Sequence, residues 1–380
     1  MKSAPVVTIS RPSLNRMATE AIKSARAVGL HYVLDSTPGI ERRRHGKSVQ
    51  YVRPNGTIIR DPGSLRRIAS LVIPPAWTDI WICTDSHGHL QATGRDARGR
   101  KQYRYHQRWN DVRNEDKYDR MLTFGRLLPK IRTRVIEGLR LQGLPRDKIL
   151  ATVVRLLETT LIRVGNEEYA RVNDSFGLTT LRDRHVTVKG HRVRFEFRGK
   201  SGILHNVDVA DRRLARIVKQ SQDLPGYELF QYVDQQGARH SITSSDVNKY
   251  LQRIAGQEVT AKDFRTWAGT VLAARALRDC GAACSSLAQA KRHIVAAIGE
   301  VAKRLGNTKS VCRKCYVHPE VLNAYLDGTL IEALDRCARQ ESTRSRSRLP
   351  TDEAAVLRLL HERLPGSGWS NNAANSGRRV

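Results

Sequence analysis

HVTVKGHRVRFEFRGKSG, at residues 185–202, is the clearest strand pattern in the central part of the chain. Apolar and polar residues alternate on both sides of Lys189-Gly190, which is typical of two antiparallel strands joined by a tight turn. The residues around this stretch have helical periodicity instead. We therefore expect the α+β class, with a small antiparallel sheet inside a mostly helical domain.

The helical periodicity begins near residue 115 and continues almost to residue 340. MLTFGRLLPKIRTRVIEGLR and RDKILATVVRLLETTLIRVG place apolar side chains three and four residues apart, with arginines on the opposite faces. The same spacing predicts later helices at about 244–255, 261–279, 285–305, 317–327 and 329–340. Residues 109–340 are therefore expected to form one mostly α-helical domain.

The N-terminal part of the chain has β character. SVQYVRPNGTIIRD alternates around Asn55-Gly56, a dipeptide that favours hairpin turns. WICTDSHGHLQATGR predicts a second hairpin with its turn near His87-Gly88. A short helix is expected between the two hairpins, after Pro62. These patterns predict a small β-rich domain before the helical one.

The domain boundaries follow from these changes of pattern. We place the β-rich domain at residues 30–108, after an N-terminal extension at residues 1–29. At the other end, residues 341–380 contain STRSRSRLP near their start, continue with a short amphipathic piece and end rich in Gly, Ser and Asn. This composition predicts a basic, flexible tail.

The net charge of the chain indicates which class of molecule it binds. The 380 residues include 66 Lys and Arg against 37 Asp and Glu, which gives a formal charge of +29. Such an excess favours a polyanion, because each neutralised phosphate releases counterions. No apolar run approaches the roughly 18 residues of a spanning helix, and six cysteines are too sparse for a disulfide scaffold. We expect a cytoplasmic, nucleoid-associated protein that binds double-stranded DNA and no membrane.

Several kinds of catalytic motif are missing from the sequence. It has no GxxxxGK[ST] phosphate loop, no HExxH and no carboxylates at the spacing of a two-metal nuclease. Phosphodiester chemistry in this chain would therefore depend on cations and a side-chain nucleophile, without metal or cofactor. Cys312 and Cys315 form a CxxC pair, but a structural zinc normally needs a second ligand pair, so packed thiols are the favoured interpretation.

Five short segments supply the parts that metal-free phosphodiester chemistry requires. They are Arg163 in LIRVGNEEYA, Lys200 in FRGKSG, Arg265 in AKDFRTWAG, Asn307 in RLGNT and Tyr316 in CRKCYVHP. Their order and context resemble the poxvirus-like type IB DNA topoisomerases, in their bacterial branch, from about residue 30 to residue 340. The resemblance implies that these five residues form the active site, with Tyr316 as the nucleophile. Asn307 stands where the viral enzymes usually have histidine.

The same resemblance suggests further residues. Lys262 matches a basic family position three residues before the second arginine and is a second candidate proton donor. The segment GRKQYRY matches one that contacts DNA, and Tyr169 matches a tyrosine that contacts a phosphate. The residues nominated from GRKQYRY are Arg100, Gln102, Tyr103 and Tyr105. The β-rich domain is then a DNA clamp, and the protein is expected to encircle duplex DNA as a monomer.

Residue chemistry assigns the roles independently of the family. A phenol is neutral at pH 7, so Tyr316 must lose its proton as it attacks phosphorus. Arg163 and Arg265 are permanently charged forks for the non-bridging oxygens. The Lys200 ammonium suits the general acid that protonates the departing 5′-oxygen, and Asn307 can only hydrogen-bond. We expect relaxation of positive and negative supercoils through a 3′-phosphotyrosyl intermediate, without ATP or metal.

Two other functions remain open at this stage. A tyrosine recombinase or integrase uses a similar set of residues, but typically has histidine where this chain has Lys262. A non-catalytic DNA-binding protein fits the charge equally well. Binding alone, however, needs no tyrosine at a fixed distance from Asn307.

Overall fold

The computed structural model describes residues 19, 21–45, 48–97, 99–281, 286–341 and 349–364. Most of the expected extension at 1–29 and most of the expected tail at 341–380 lie outside these ranges. The chain divides into two compact units, Met1–Tyr118 and Asp119–Val380. The division falls inside a long helix, and the boundary expected at 108/109 lies near the start of that same helix.

The first unit is built on a five-stranded antiparallel sheet with the order β2-β1-β3-β4-β5. Its helices are α1, at residues 21–27, and α2, at Pro62–Ser70. Isoleucines from the sheet and from α2, such as Ile68, Ile80 and Ile82, form its apolar core. The strands are β1 Ile40–His45, β2 Ser48–Val52, β3 Thr78–Ile82, β4 Leu90–Arg95 and β5 Lys101–Tyr105.

The two hairpins expected in this unit have different outcomes. The hairpin near His87-Gly88 is confirmed as the antiparallel pair β3–β4, and helix α2 begins at Pro62 with its N-cap residue Asp61. Asn55-Gly56 forms the expected turn, and the chain after it returns antiparallel to β2 through the bridge between Val52 and Ile58. The Ile59 amide also donates to the carbonyl of Tyr51 at 2.8 Å, but residues 57–60 form no full strand. Strand β2 pairs instead with β1, which precedes it.

The second unit is mostly helical, as expected. Its N-terminal helices are α3 Gln107–Gly138, α4 Arg146–Thr160, α5 Glu167–Asn173, α6 Arg212–Gln222 and α7 Ser244–Ala255. Its later helices are α8 Ala261–Asp279, α9 Leu287–Leu305, α10 Lys309–Cys315, α11 Pro319–Leu326, α12 Thr329–Glu341 and α13 Thr351–Arg363. Within the ranges given above, no helix is both long enough and apolar enough to cross a membrane.

The hairpin predicted around Lys189-Gly190 is confirmed. Strands β6 and β7 pair across this turn, and a third strand, β8, continues the sheet in the order β6-β7-β8. A two-stranded sheet, β9–β10, lies further along the chain. The strands are β6 Val186–Lys189, β7 Arg192–Arg198, β8 Leu204–Ala210, β9 Gln231–Val233 and β10 Arg239–Ser241.

Part of the expected flexible tail is folded. Helix α13 buries an apolar face that includes Val356 and Leu360. Its first turn is fixed by ion pairs, since Asp352 accepts hydrogen bonds from Arg275 and Arg278, each at 2.7 Å. The expectation of a flexible tail is therefore wrong for this helix, because long-range ion pairs and burial outweigh the polar composition around it.

Candidate active site

Arg163 lies in the segment that follows helix α4. The backbone of this segment is fixed by the end of the helix before it and by a second segment, around Gly177, that packs against it. The helix ends with Leu161 in the left-handed conformation, at φ 58°. The carbonyl of Arg163 accepts a hydrogen bond from the amide of Leu178 at 2.9 Å. A Cβ on Gly177 would lie 2.6 Å from the Cα of Gly165. The two segments therefore approach each other at a point where only glycine fits.

Asn307 comes to Arg163 from a distant part of the chain. Helix α9 ends at Leu305, and Gly306 caps it at φ 58°, a conformation that favours glycine. The amide of Asn307 donates to the carbonyl of Ala302 at 3.0 Å. Its Oδ1 accepts a hydrogen bond from Nη2 of Arg163. Its Nδ2 is buried without a partner among the described residues, so this donor is available to a ligand oxygen.

Arg265 is buried in helix α8, where only 4% of its surface is exposed. Its Nη1 donates to the carbonyl of Leu161, and its Nη2 donates to the carbonyl of Leu305 at 2.7 Å. The nearby carboxylate of Asp263 is used at the helix N-terminus, where it accepts hydrogen bonds from Thr260. The guanidinium therefore joins the segment after α4 to the end of α9.

Tyr316 directly follows helix α10, and its amide donates to the carbonyl of Cys312 at 2.9 Å. Its own carbonyl accepts a hydrogen bond from the Thr270 hydroxyl at 3.2 Å. A Cβ on Gly269 would lie 2.7 Å from that carbonyl, so helix α8 packs directly on the Tyr316 backbone. The guanidinium carbon of Arg265 lies 5.2 Å from the centroid of the Tyr316 ring. The phenol therefore lies beside a buried cation.

The two arginines form a positive cluster. Burial and then the charge of Arg163 lower the pKa of Arg265, although an arginine stays protonated in any ordinary buffer. In the part of the chain that the structure describes, no carboxylate lies within ion-pair distance of either guanidinium. Buried charges are normally paired, because desolvation penalises an isolated one. This arrangement suits the binding of an anion such as a phosphate group.

The two candidate lysines are placed differently from the other four residues. Lys200 is exposed at the connection between β7 and β8, where Ser201 and Gly202 both have positive φ. Lys262 is exposed in the first turn of α8. No hydrogen bond or ion pair joins Lys200 to another predicted catalytic residue within the described ranges. Both lysine side chains are therefore exposed to solvent.

The predicted DNA-contact residues of the first unit lie near strand β5. Arg100 and Gln102 both hydrogen-bond to one carboxylate, that of Asp96, at 2.8 and 2.9 Å. Tyr103 is 47% exposed, and its ring stacks on that of Tyr105 with centroids 6.0 Å apart. This strand therefore offers a stacked aromatic pair beside a cation that already has an acidic partner.

Tyr169 lies on the second unit, in helix α5. The Asn166 side chain caps this helix by accepting a hydrogen bond from the Tyr169 amide at 3.0 Å. None of the helix is buried, and Tyr169 is 42% exposed. Its side chain is therefore accessible to a ligand outside the protein.

The CxxC pair beside the phenol is packed on one side. Cys312 is fully buried in helix α10, and burial raises the pKa of its thiol. Cys315 is partly exposed, and both cysteines are free thiols. Among the residues with described positions, no group of three or more His, Cys, Asp or Glu side chains is arranged to hold a metal ion.

One side chain of this region was missed by the sequence analysis. His205, in strand β8, lies against Gly306, since a Cβ there would be 2.8 Å from its Cε1. Burial and the charges of Arg163 and Arg265 lower the pKa of His205. It is five residues beyond Lys200, but only the strand pairing and the position of α9 reveal where it lies.

Comparison with known proteins identifies similar sequences for both units. Residues 106–341 match the family model of the catalytic core of eukaryotic DNA topoisomerase I. Residues 48–96 match the model of the N-terminal domain of bacterial DNA topoisomerase IB. The first of these ranges contains all six predicted catalytic residues.

Several viral proteins are similar over most of their length. DNA topoisomerase 1B of Acanthamoeba polyphaga mimivirus is 31% identical over 294 residues, which cover 76% of this chain and 87% of the viral protein. DNA topoisomerase 1 of Rabbit fibroma virus is 24% identical, with 69% of this chain and 82% of the viral protein covered. DNA topoisomerase 1B of Vaccinia virus (strain Copenhagen) is 22% identical, with 71% and 84% covered.

Proposed function

The chain belongs to the type IB DNA topoisomerase family, and from that premise we propose that it relaxes supercoils of either sign through Tyr316. The protein is a DNA-acting isomerase, and its N-terminal domain belongs to the bacterial branch. In the proposed reaction one DNA strand is cut, allowed to rotate and resealed. Arg163, Arg265, Asn307 and a lysine assist both chemical steps.

The positive cluster is the observation that carries this proposal. Arg265 is almost fully buried, and the guanidinium of Arg163 donates to the neutral amide of Asn307. A scissile phosphodiester would supply the negative charge that this cluster lacks among the described residues. The Nδ2 of Asn307 would supply a further donor to a non-bridging oxygen. The site is thus complementary to a phosphate that gains negative charge during reaction.

The cleavage step exchanges one phosphodiester for another. The Tyr316 phenol oxygen attacks phosphorus, and the bond between phosphorus and the 5′-oxygen of the next nucleotide breaks. The phenol proton leaves to solvent, and the departing 5′-oxygen receives a proton from a lysine ammonium. The product is a 3′-phosphotyrosyl bond and a free 5′-hydroxyl. Arg265, which lies over the phenol ring, stabilises the negative charge that develops on the tyrosine.

Lys200 is the general acid we favour, with Lys262 as the second candidate. Lys200 lies in a hairpin connection stabilised by the hydrogen bond from the Gly199 amide to the carbonyl of Ile203 at 2.8 Å. Its exposed ammonium would reach the 5′-oxygen only when DNA occupies the site, because catalytic contacts often form only in the substrate complex. Lys262 lies three residues before Arg265, exposed in the first turn of the same helix.

Neither ATP nor a metal is needed for this exchange. The phosphotyrosyl and phosphodiester bonds are similar in free energy, so the step is reversible, and the supercoil provides the driving force. We expect the residues nominated for DNA contact to bind the phosphates of the duplex, namely Arg100, Gln102, Tyr103, Tyr105 and Tyr169. Such contacts to phosphates position DNA without reading its sequence.

The test is relaxation of positively and negatively supercoiled plasmids in EDTA without ATP, with Tyr316→Phe run beside the wild type. We expect the wild type to relax both substrates and the variant to relax neither while it still binds DNA. Denaturing gels should show a covalent complex at the 3′ end of the cut strand with the wild type alone. Relaxation that requires added magnesium, or a Tyr316→Phe variant that still cleaves, would contradict the proposal.

A further inference from the structure

The imidazole of His205 occupies a gap between two segments that carry predicted catalytic residues. Strands β7 and β8 pair Phe197 with His205, and the two rings stack with centroids 5.0 Å apart and planes 13° from parallel. This stacking fixes the plane of the imidazole. His205 itself is only partly exposed to solvent.

Two glycines border the ring. A Cβ on Gly199 would lie 2.5 Å from Cδ2 of His205, and a Cβ on Gly306 would lie 2.8 Å from its Cε1. Both distances are shorter than real Cβ contacts, so the imidazole touches the backbone at both positions. Gly199 immediately precedes Lys200, and Gly306 immediately precedes Asn307. The backbones at Gly199 and Gly306 are therefore separated by the width of the imidazole ring.

The electrostatics of the ring agree with a neutral spacer. Burial is the main cause that lowers the pKa of His205, and the positive charges of Arg163 and Arg265 lower it further. A third cation at this position would be repelled by both arginines. The side chain therefore fills the gap without competing with them for a phosphate.

We propose that His205 is a positioning residue for strand cleavage, which sets the distance between the Lys200 loop and Asn307 by filling the gap between Gly199 and Gly306. The inference rests on the proposed function, because it assumes that Lys200 donates a proton and that Asn307 binds a phosphate oxygen. His205 itself touches neither DNA nor the reacting atoms. It acts through the backbone on both sides of its ring.

The consequence is a defect in chemistry rather than in DNA affinity. Removal of the ring in His205→Ala would leave the Lys200 loop free to shift by about the thickness of an imidazole. A displacement of about 1 Å in a reacting group can cost on the order of 10²-fold in rate. His205→Phe would restore a flat, neutral ring that stacks on Phe197, although it has no nitrogen to exchange protons.

The experiment measures the single-turnover rate of DNA cleavage. The duplex is cut near one end, so that the short released strand dissociates and cannot be resealed. We expect His205→Ala to cleave roughly 10- to 100-fold more slowly than the wild type, and His205→Phe to stay within about three-fold, since its flat ring, although larger than an imidazole, still holds the two backbones apart. The matched control is His240→Ala, which removes another cross-strand histidine stack, on Tyr232 at 5.1 Å. Thermal melting and DNA affinity in a Tyr316→Phe background show whether each variant is folded and binds.

A second substrate isolates the part of the His205→Ala rate defect that acts through Lys200. A 5′-bridging sulfur gives a thiolate leaving group that needs no proton donor. On this substrate, Lys200→Ala should recover, and His205→Ala should recover in part. Three outcomes would overturn the proposal: a His205→Ala rate equal to that of His240→Ala, a His205→Phe rate as low as that of His205→Ala, or no recovery with sulfur. Failure of the wild type to cleave would instead reject the proposed function.

Discussion

The two predicted catalytic arginines of the second unit differ from two cations near strand β5 of the first unit in how their charge is balanced. In the second unit, Arg163 and Arg265 bind neutral groups, namely an amide oxygen and two backbone carbonyls. In the first unit, Arg100 binds the carboxylate of Asp96, and Lys101 forms an ion pair with Asp35 at 2.5 Å. Arg163 and Arg265 are therefore fixed by neutral groups that leave their positive charge unbalanced. Arg100 and Lys101 are fixed by carboxylates that balance theirs.

The two arrangements differ in what it costs an arginine to bind a polyanion. A guanidinium fixed by carbonyls costs desolvation energy in the free protein and recovers it only when an anion binds. A guanidinium paired with a partly buried carboxylate has its charge balanced in the free protein, but it must exchange one acidic partner for another when DNA binds. The first arrangement suits a transition state and the second suits reversible contact along a duplex.

The largest effect is expected at Arg265. Arg265→Lys keeps the charge, but an ammonium cannot bond the carbonyls of Leu161 and Leu305 in the planar geometry that a guanidinium offers. We expect single-turnover cleavage to fall by about 10³-fold, as for the loss of a fixed donor at a developing anion. The affinity for uncut DNA should change far less.

The control for this substitution lies on the same helix. Arg275→Lys alters an exposed arginine that pairs with the mostly buried carboxylate of Asp352. A lysine can keep this ion pair as a point charge, and Asp352 retains its hydrogen bond from Arg278. The cleavage rate of Arg275→Lys should match that of the wild type. Equal losses in the two variants would mean that helix α8 is merely destabilised, and the contrast between buried and exposed arginines would fail.

The next effect is expected at Asn307, where stability and activity should move in opposite directions. Asn307→Ala removes both the acceptor for Arg163 and the donor proposed for a phosphate oxygen, and it should slow cleavage roughly 10- to 100-fold. Asn307→Asp keeps the acceptor for Arg163 but replaces the unpartnered Nδ2 with negative charge. It should cleave more slowly than the alanine variant, because a carboxylate repels the phosphate.

The aspartate variant should also melt at a higher temperature than the wild type, since it neutralises the cluster in the free protein. Each kcal/mol gained raises the melting temperature by about 2–4 °C in a domain of this size. Calorimetry in low salt measures this shift. A lower melting temperature would show that the cluster already has its counter-charge without DNA.

Much of the fold follows from local pattern. The hairpin at Lys189-Gly190 and helices such as α7 and α8 were predictable because alternation and helical spacing are properties of neighbouring residues. Strand β1 was not, since it has the sequence IERRRH and lacks apolar alternation. Its Arg42 instead donates to the carbonyls of Pro74 and Trp77, at 3.2 and 2.6 Å. Such long-range bonds are invisible in the sequence of the strand.

The candidate site divides in the same way. The order of its five segments identified Arg163, Lys200, Arg265, Asn307 and Tyr316 as candidates, because residue type and context carry that information. The sequence could not show that Arg265 joins two chain segments through their carbonyls. Nor could it show the position of His205, which depends on which backbones pack against its ring.

The smallest effect is expected at Asp96 and tests the other half of the comparison. Asp96→Asn retains an oxygen for the Arg100 amide, which donates to Oδ1 at 3.0 Å, so the turn should persist. It removes the charge that pairs with the Arg100 guanidinium. We expect DNA affinity at low salt to rise by about two- to five-fold. The slope of log affinity against log salt concentration should become more negative by about 1, as for one additional phosphate contact.

Asp223→Asn is the matched control, since it removes one carboxylate from the exposed pair with Lys219 in the second unit. An equal gain in both variants would reflect net charge alone, because the protein already carries a formal charge of +29. A gain confined to Asp96→Asn would mean that Arg100 contacts phosphate once it is released. No gain in either variant would mean that the acidic partner does not limit DNA binding, and the contrast between the two units would then hold only for the buried arginines.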